Sequence, residues 1–512
     1  MKDTIVILDF GSQYTQLIAR RIRELHVFSV IFPCNAETGK IKRCKPKGII
    51  LSGGPYSVYE TKAPVLNKEI LKLKVPVLGI CYGMQVMIKT LGGKVKEAKR
   101  REYGRSLMYI DKHEDIFYSL PAKITSWMSH ADRAETLPNN FELLAHTNNT
   151  RYAAVGSPKS KLYGVQFHPE VVHTDFGLQI ISNFLFRICE CFATWQLKDF
   201  VNMKINEIGK TVKTSNVICG LSGGVDSSAA AVLVQKAVGK RLKCIFVDNG
   251  LLRHDEAKTV AGVFRDNFKI DLRVIDAAKS FLDKLKGVSD PEKKRKIIGH
   301  EFIRIFEEEA KKIKKANFLV QGTLYPDVIE SVPFFGGPTS TIKTHHNVGG
   351  LPLNMRLKLI EPFRELFKDE VRQIAKLLKL PDDIIWRQPF PGPGLAIRVI
   401  DEIRTSRLAI LRKADAILIK IIKERGLYKK LWQSFCILLP LKTVGVMGDK
   451  RTYEYVVAVR AVESLDGMTA DWAKLPYEVM QDISNTIINR VRGINRVVFD
   501  ISSKPPATIE WE

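Results

Sequence analysis

Cys81 sits between two glycines in Gly79-Ile80-Cys81-Tyr82-Gly83, where the apolar run VPVLGIC meets the helical pattern YGMQVMIKTLGG. That spacing is a nucleophile elbow with sulfur in place of oxygen: small neighbours permit the strained turn that exposes the side chain. Partial positive charge at the helix start favours the thiolate. A buried structural cysteine is the commoner fate of the residue type, but the glycines and the strand-to-helix junction argue against it. A thiol needs a base, and the base needs an orienting group. The segment Tyr163-Gly164-Val165-Gln166-Phe167-His168-Pro169-Glu170 supplies His168 at a strand end, with Glu170 two residues on. Leu51-Ser52-Gly53-Gly54-Pro55 follows a third apolar run and could turn backbone N–H groups toward an oxyanion, although Gly-Gly-Pro alone is more often a plain turn.

A second constellation lies between the short strand NVICGL and the helix AAAVLVQKAVG: Ser222-Gly223-Gly224-Val225-Asp226-Ser227-Ser228. Strand, glycine-rich loop and helix present N–H groups to phosphate. The lysine of a kinase-type phosphate loop is missing. An Asp stands there between hydroxyls, so Asp226 is the expected Mg²⁺ ligand alongside the phosphates. The next strand, Cys244 to Val247, ends at Asp248, on the same sheet edge if the βα unit is right-handed. Further on, His345-His346 is no metal pair if extended, because adjacent strand residues face opposite ways. Lys343 could neutralise a phosphate or stand on the surface as most lysines do.

Continuous Val/Ile/Leu runs separated by amphipathic helices must position these groups, and they predict parallel sheets covered on both faces. Ligands in such sheets lie beyond the carboxyl ends of the strands. The 512 residues allow about three domains. Hydrophobic residues at 45% and charged residues at 26% exclude a disordered or collagen-like chain. The 80 basic and 55 acidic side chains leave a formal charge of +25. That excess suits anionic partners, nucleic acid or phosphate-bearing small molecules, but a solvated lysine-rich surface accounts for it equally. No apolar run approaches the roughly 18 residues of a membrane span. The opening MKDTIVILDFGS, broken by Asp9, reads as a buried strand rather than a secretory signal. The eight cysteines include no Cys-x-x-Cys pair, which gives no support to a zinc ribbon or a disulfide framework and makes a reducing cytoplasm the simplest setting.

With GICYGMQ and YGVQFHPE together, residues 1–190 resemble the class I glutamine amidotransferase domain. The resemblance implies that Cys81 attacks the glutamine side-chain amide, that His168 serves as base and then acid, and that Glu170 orients His168. The thioester would be hydrolysed to glutamate, with ammonia released. The N–H groups of Gly54 and Tyr82 would form the oxyanion hole, and Gln85 would help hold glutamine. Ser129-His130-Ala131-Asp132 also resembles a stretch of that family, without an assigned role.

The SGGVDSS loop resembles the N-type ATP pyrophosphatases, which cleave ATP between the α and β phosphates and transfer AMP to a carbonyl oxygen. This implies ATP binding by Ser222, Gly223, Gly224, Val225, Asp226, Ser227, Ser228 and Asp248, within a domain spanning residues 191–387. FPGPGLAIRV, TVGVMGDKRTYEYVVAVRAVES and KPPATIEWE resemble the C-terminal domain of the glutamine-hydrolysing GMP synthetases, and SDPEKKRKIIG, DVIES and HHNVGGLP extend the similarity through the middle. The implied fold is α/β: two doubly wound parallel-sheet domains followed by a smaller α+β dimerisation domain at 388–512. The implied substrates are XMP, ATP and glutamine, with Mg²⁺, in a homodimer with no membrane role and no nucleic acid expected. Arg295, Lys504 and Glu510 would bind XMP, and the 391–394 turn would lie against it. Cations such as Arg295 and Lys504 suit a 5′-phosphate. The family usually has His before PFPGPG; Gln388 stands here. The stiff, apolar end with its two prolines and Trp511 is expected to dock rather than fray. The rival readings are an RNA-modifying enzyme with the same ATP loop, another fused amidotransferase such as a glutamine-dependent NAD synthetase, and a non-catalytic nucleotide-binding regulator. Unpaired cysteines disfavour the first, the KPPATIEWE end the second, and the intact site residues the third.

Overall fold

In the computed structural model, which describes residues 2–330, 357–447, 450–464, 467 and 469–512, the chain forms two compact units, one up to Asp199 and one from Phe200 onward. Lys343, His345 and His346 lie outside the described residues.

The first unit is built on a nine-stranded sheet. Its strands are β1 (Thr4–Asp9), β2 (Phe28–Pro33), β3 (Gly48–Leu51), β4 (Val77–Ile80), β5 (Lys94–Ile110), β6 (Lys123–Thr136), β7 (Glu142–Thr147), β8 (Ala154–Ser157) and β9 (Leu162–Val165), in the order β2-β1-β3-β4-β9-β8-β7-β5-β6. The first five in that order are parallel. β3 and β4 are buried along their whole length, as strands covered on both faces must be. The helix Thr15–Glu24 buries Ile18, Ala19 and Ile22 along one stripe, the i, i+4 spacing of an amphipathic face. Val6, Leu8, Ile49, Leu51, Val77 and Met87 share one core cluster. The predicted parallel sheet is present, and four antiparallel strands, β8, β7, β5 and β6, widen it. Their strand character is masked in the sequence by charge, as in KVKEAKRREYGR, and is imposed by cross-strand pairing rather than by intrinsic propensity.

The second unit holds two sheets. β10 (Asn216–Gly220), β11 (Leu242–Asp248), β12 (Asp271–Asp276), β13 (Ala316–Val320) and β14 (Lys358–Ile360) are parallel, in the order β12-β11-β10-β13-β14. β10 is central and its neighbours leave in opposite directions, so the loop after it occupies the topological switch point. β15 (Gln433–Met447), β16 (Lys450–Glu463), β17 (Asp471–Trp472) and β18 (Ile494–Phe499) form a mixed second sheet, backed by the helices Thr405–Glu424 and Tyr477–Arg490. One apolar cluster runs from Ile218 and Ile245 through Leu395 and Leu411 to Val457 and Ile487, so the two sheets close a common core.

Candidate active sites

Three adjacent strand ends assemble the first site. β4 pairs with β3 on one side and β9 on the other, which brings together the loops carrying Gly54, Cys81 and His168. Cys81 caps the helix Tyr82–Thr90 with φ 52° and ψ −109°, a backbone position that non-glycine residues avoid. Its own N–H donates to the Val165 carbonyl at 2.7 Å, tying the strained residue to β9. The flanking glycines are required by close approach: a Cβ at Gly79 would fall 2.6 Å from the Met84 nitrogen, and one at Gly83 would fall 2.3 Å from the Leu51 oxygen. The N–H of Tyr82, first in the helix, has no intrahelical acceptor. Gly54 packs against the Phe10 carbonyl and the Tyr82 ring, so that a Cβ there would lie 2.5 Å and 3.4 Å from them.

His168 Nδ1 lies 2.7 Å from Glu170 Oε1, and both side chains are buried. The Thr174 hydroxyl donates to the His168 carbonyl at 2.6 Å, and the Tyr14 ring meets the imidazole edge-on at 5.1 Å. Burial opposes protonation of His168, but the Glu170 carboxylate and a hydrogen bond with Cys81 outweigh it and hold the imidazole well above its ordinary pKa. Gly53 packs at the same place: a Cβ there would stand 3.2 Å from His168 Cε1. Gln85, buried one helical turn beyond Cys81, donates Nε2 to the Asp132 carbonyl at 3.0 Å and to Gln166 Oε1 at 3.2 Å. Gln166 Nε2 in turn lies 3.7 Å from Cys81 Sγ, as does the Ser129 carbonyl oxygen. Sequence reasoning gave Gln166 and Ser129 no role. Both lie inside quoted motifs, and only their contacts with the sulfur mark them out.

The second site follows β10. Ser222 and Ser227 join their hydroxyls at 2.9 Å, and Ser227 also donates to the Gly224 carbonyl at 3.2 Å. The helix Val225–Val238 starts within the loop and directs its free N–H groups there. Gly223 has φ +74°, and a Cβ on it would strike the Arg387 guanidinium at 2.5 Å. Arg387 is paired with Glu256. Asp226 accepts from Lys368 Nζ at 3.1 Å through Oδ2, while Oδ1 is buried without a hydrogen-bond partner. The hydroxyls of Ser228 and Thr323 are buried and unmet as well. The Gly322 backbone packs on the loop, since a Cβ there would lie 3.0 Å from the Ser227 nitrogen. Burial pulls the Arg372 guanidinium below its ordinary value, against the opposing charges of Asp226 and Asp369. Asp248 caps its own strand end, accepting from the Gly250 N–H at 3.0 Å. Lys368, Arg372 and Arg387 were not singled out as site residues from sequence, because a surface lysine and a phosphate-site lysine read alike.

The third group gathers at the end of the chain. Arg295, on the helix Pro291–Lys311, donates to the Glu512 main-chain oxygen at 2.5 Å, and its neighbour Lys294, fully buried, pairs with the Glu512 carboxylate at 2.7 Å. Glu510 receives a two-pronged pair from the fully buried Arg398, at 2.8 and 3.1 Å, and Gln433 Nε2 at 2.6 Å. Lys504 Nζ donates to the Gly467 carbonyl at 2.8 Å. Arg460 holds the carbonyls of Ser502, Thr508 and Ile509. The tail is therefore docked, through guanidiniums that the sequence did not reveal. Arg295 meets Glu512 and Glu510 meets Arg398 and Gln433, whereas Lys504 is tied to a different loop. Gln388 is buried and uses both ends of its amide: Oε1 accepts from the Ser434 N–H and hydroxyl at 2.8 and 3.1 Å, and Nε2 donates to the Tyr428 carbonyl at 3.2 Å. Its place is in a closed structural network.

Residues 6–188 match the class-I glutamine amidotransferase family, residues 194–301 match NAD synthase, and residues 420–511 match the GMP synthase C-terminal domain. A glutamine-hydrolyzing GMP synthase of Brachyspira hyodysenteriae is 61% identical over 510 residues, covering 100% of this chain and 99% of that protein. The chain belongs to the glutamine-hydrolysing GMP synthase family. Further GMP synthases, from Halothermothrix orenii and Aquifex aeolicus, are 57% and 56% identical over 100% and 99% of this chain. The GMP synthase similarity therefore runs through all three candidate sites.

Proposed function

We propose that this chain makes GMP: XMP, ATP, glutamine and water give GMP, AMP, pyrophosphate and glutamate. The observation that carries the reading is the end-to-end likeness to glutamine-hydrolysing GMP synthases at 61% identity, and the local geometry supports each half-reaction. In the first unit the Cys81 thiolate, paired with protonated His168, attacks the glutamine amide carbon. The N–H groups of Gly54 and Tyr82 receive the oxyanion. His168 passes its proton to the departing nitrogen and then takes one from the water that hydrolyses the thioester. Glu170 keeps the imidazole in register throughout, and Gln85 holds the substrate.

In the second unit the Ser222–Ser228 loop holds the ATP phosphates, with Asp248 at the neighbouring strand end. XMP is bound by Arg295, Lys504 and Glu510 and adenylated at O2 of its base, so that AMP becomes the leaving group when ammonia attacks C2. The buried, unpartnered Oδ1 of Asp226 fits a hard cation shared with phosphate oxygens. Mg²⁺ held by Asp226 would supply charge neutralisation at the pyrophosphate. The remaining domain reading, residues 388–512 as a homodimerisation module, is supported by an apolar strip on β15 and β16. Leu441, Val444, Val446 and Tyr453 are all exposed there.

The test is incubation with XMP, ATP, Mg²⁺ and glutamine, followed by chromatography for GMP and AMP. Cys81→Ala is expected to lose glutamine-dependent synthesis and keep synthesis from added ammonia at alkaline pH. Asp226→Ala is expected to lose pyrophosphate release with either nitrogen source. Loss of the ammonia reaction in Cys81→Ala would overturn the two-site scheme, and unchanged pyrophosphate release would overturn the role of Asp226.

A further inference from the structure

The strand segment that faces the sulfur leads to a buried carboxylate–imidazole pair that the mechanism above does not use. Glu102 on β5 stands directly across from His130 on β6. Both are buried, at 5% and 4% exposure, where an ionised carboxylate survives only if its oxygens are satisfied. They are satisfied. The Thr150 hydroxyl donates to Oε2 at 2.7 Å, the Thr147 hydroxyl to Oε1 at 3.0 Å, and the Ser106 hydroxyl also to Oε1. His130 Nε2 approaches Oε2 at 3.6 Å. Burial pushes the carboxyl up, but the His130 ring beside it and the hydroxyls of Ser106, Thr150 and Thr147 outweigh it and bring it down to about 2. Three hydroxyls around one carboxylate on a strand pair hold a fixed negative charge facing the imidazole.

The other ring nitrogen of His130 reaches the glutamine site. Nδ1 lies 2.9 Å from the Asp132 carbonyl oxygen, so Nδ1 carries hydrogen and donates to it. That same carbonyl accepts Gln85 Nε2 at 3.0 Å, and the Ser129 carbonyl beside it faces Cys81 Sγ. The stretch Ser129–Asp132 is thus the strand segment against which both the nucleophile and the Gln85 amide are set. We propose that Glu102 and His130 are a positioning pair for the glutamine site: the carboxylate fixes the ring, the ring fixes the Asp132 carbonyl, and the carbonyl fixes the Gln85 amide. Neither residue touches the substrate. Without the pair the carbonyl loses the ring N–H that shares it, and the Gln85 amide is held less firmly against it.

This inference rests on the glutaminase reading of Cys81. The experiment therefore begins with glutamine hydrolysis by the parent enzyme in the presence of XMP and ATP; if the parent releases no glutamate, the glutaminase reading itself fails. With the parent active, Glu102→Gln keeps the shape and removes the charge. It is expected to raise KM for glutamine several-fold, up to roughly tenfold, through loss of the charge beside the ring, with a smaller change in kcat and with ammonia-dependent GMP formation unchanged. His130→Asn restores an N–H donor near the Nδ1 position and is expected to stay closer to the parent than His130→Phe, which restores none. The acid limb of the kcat profile should stay where the parent has it, because the Cys81–His168–Glu170 group is not altered. A merely structural role would lower the melting temperature without splitting KM from kcat. A Glu102→Gln enzyme that is folded by its ammonia activity and has unchanged KM overturns the proposal, as does equal behaviour of the Asn and Phe variants. If His130→Phe loses its ammonia activity as well, the near-isosteric Glu102→Gln decides alone.

Discussion

Single side chains hold the end of this chain in place, and Glu510, proposed above as an XMP contact, shows it most plainly. Its carboxylate meets the fully buried Arg398 guanidinium through both oxygens, and no other anion pairs with that guanidinium among the described residues. Removing one partner of a buried pair leaves an uncompensated charge, at a cost of about 3–5 kcal/mol. Glu510→Ala should therefore lower the denaturant midpoint of the second unit markedly, besides weakening XMP. Glu510→Gln, which can still accept from Arg398, should lose much less. Equal midpoints for Glu510→Ala and the parent would remove the cohesive role. The sequence could show that Glu510 is an acceptor near cations. It could not show which guanidinium claims it, because Arg398 lies 112 positions away and only the folded tail brings the two together. Gln388 was legible as a departure from the family pattern, and its effect became clear only when both ends of its amide were seen to be engaged.

At the scale of elements, what was readable followed hydrophobic periodicity. The apolar runs ending at Leu51, Ile80 and Val247 are strands. The elbow was readable because its chemistry is local: Gly79 and Gly83 are needed by contacts within a few residues or with the adjoining strand. Gly83→Ala drives a methyl into the Leu51 carbonyl, a form of overpacking that costs about 1–3 kcal/mol, and it shifts the helix start that carries Tyr82. We expect glutamine-dependent GMP formation to be lost while ammonia-dependent formation is kept; if both nitrogen sources served the variant as well as the parent, the elbow would not need its glycine. The β5–β6 hairpin was not readable. Its residues are charged and its register contains a bulge between Glu97 and Glu102, so alternation breaks inside the paired stretch. The pair at 102 and 130 is a product of that register.

For the whole molecule, composition limited the possibilities without choosing among them. The charge of +25 exceeds what phosphate ligands require, and the cations with a visible function are few and mostly buried or paired. Oligomeric state is the point at which the surface bears on the proposal. Val446 is 73% exposed and Val444 55% on the same long hairpin, and apolar side chains so placed are suited to a partner. On the proposed dimer reading the parent sediments as a dimer and Val446→Asp moves it toward a monomer; a parent that sediments as a monomer would overturn that reading. The joint between the two compact units falls after Asp199, and each unit encloses apolar clusters of its own. A gene cut at that joint should therefore yield two separately soluble polypeptides. The upstream one would have no consumer for the gas it makes, and the downstream one would depend on ammonium salts in the medium. Fusion, on this view, serves delivery more than stability.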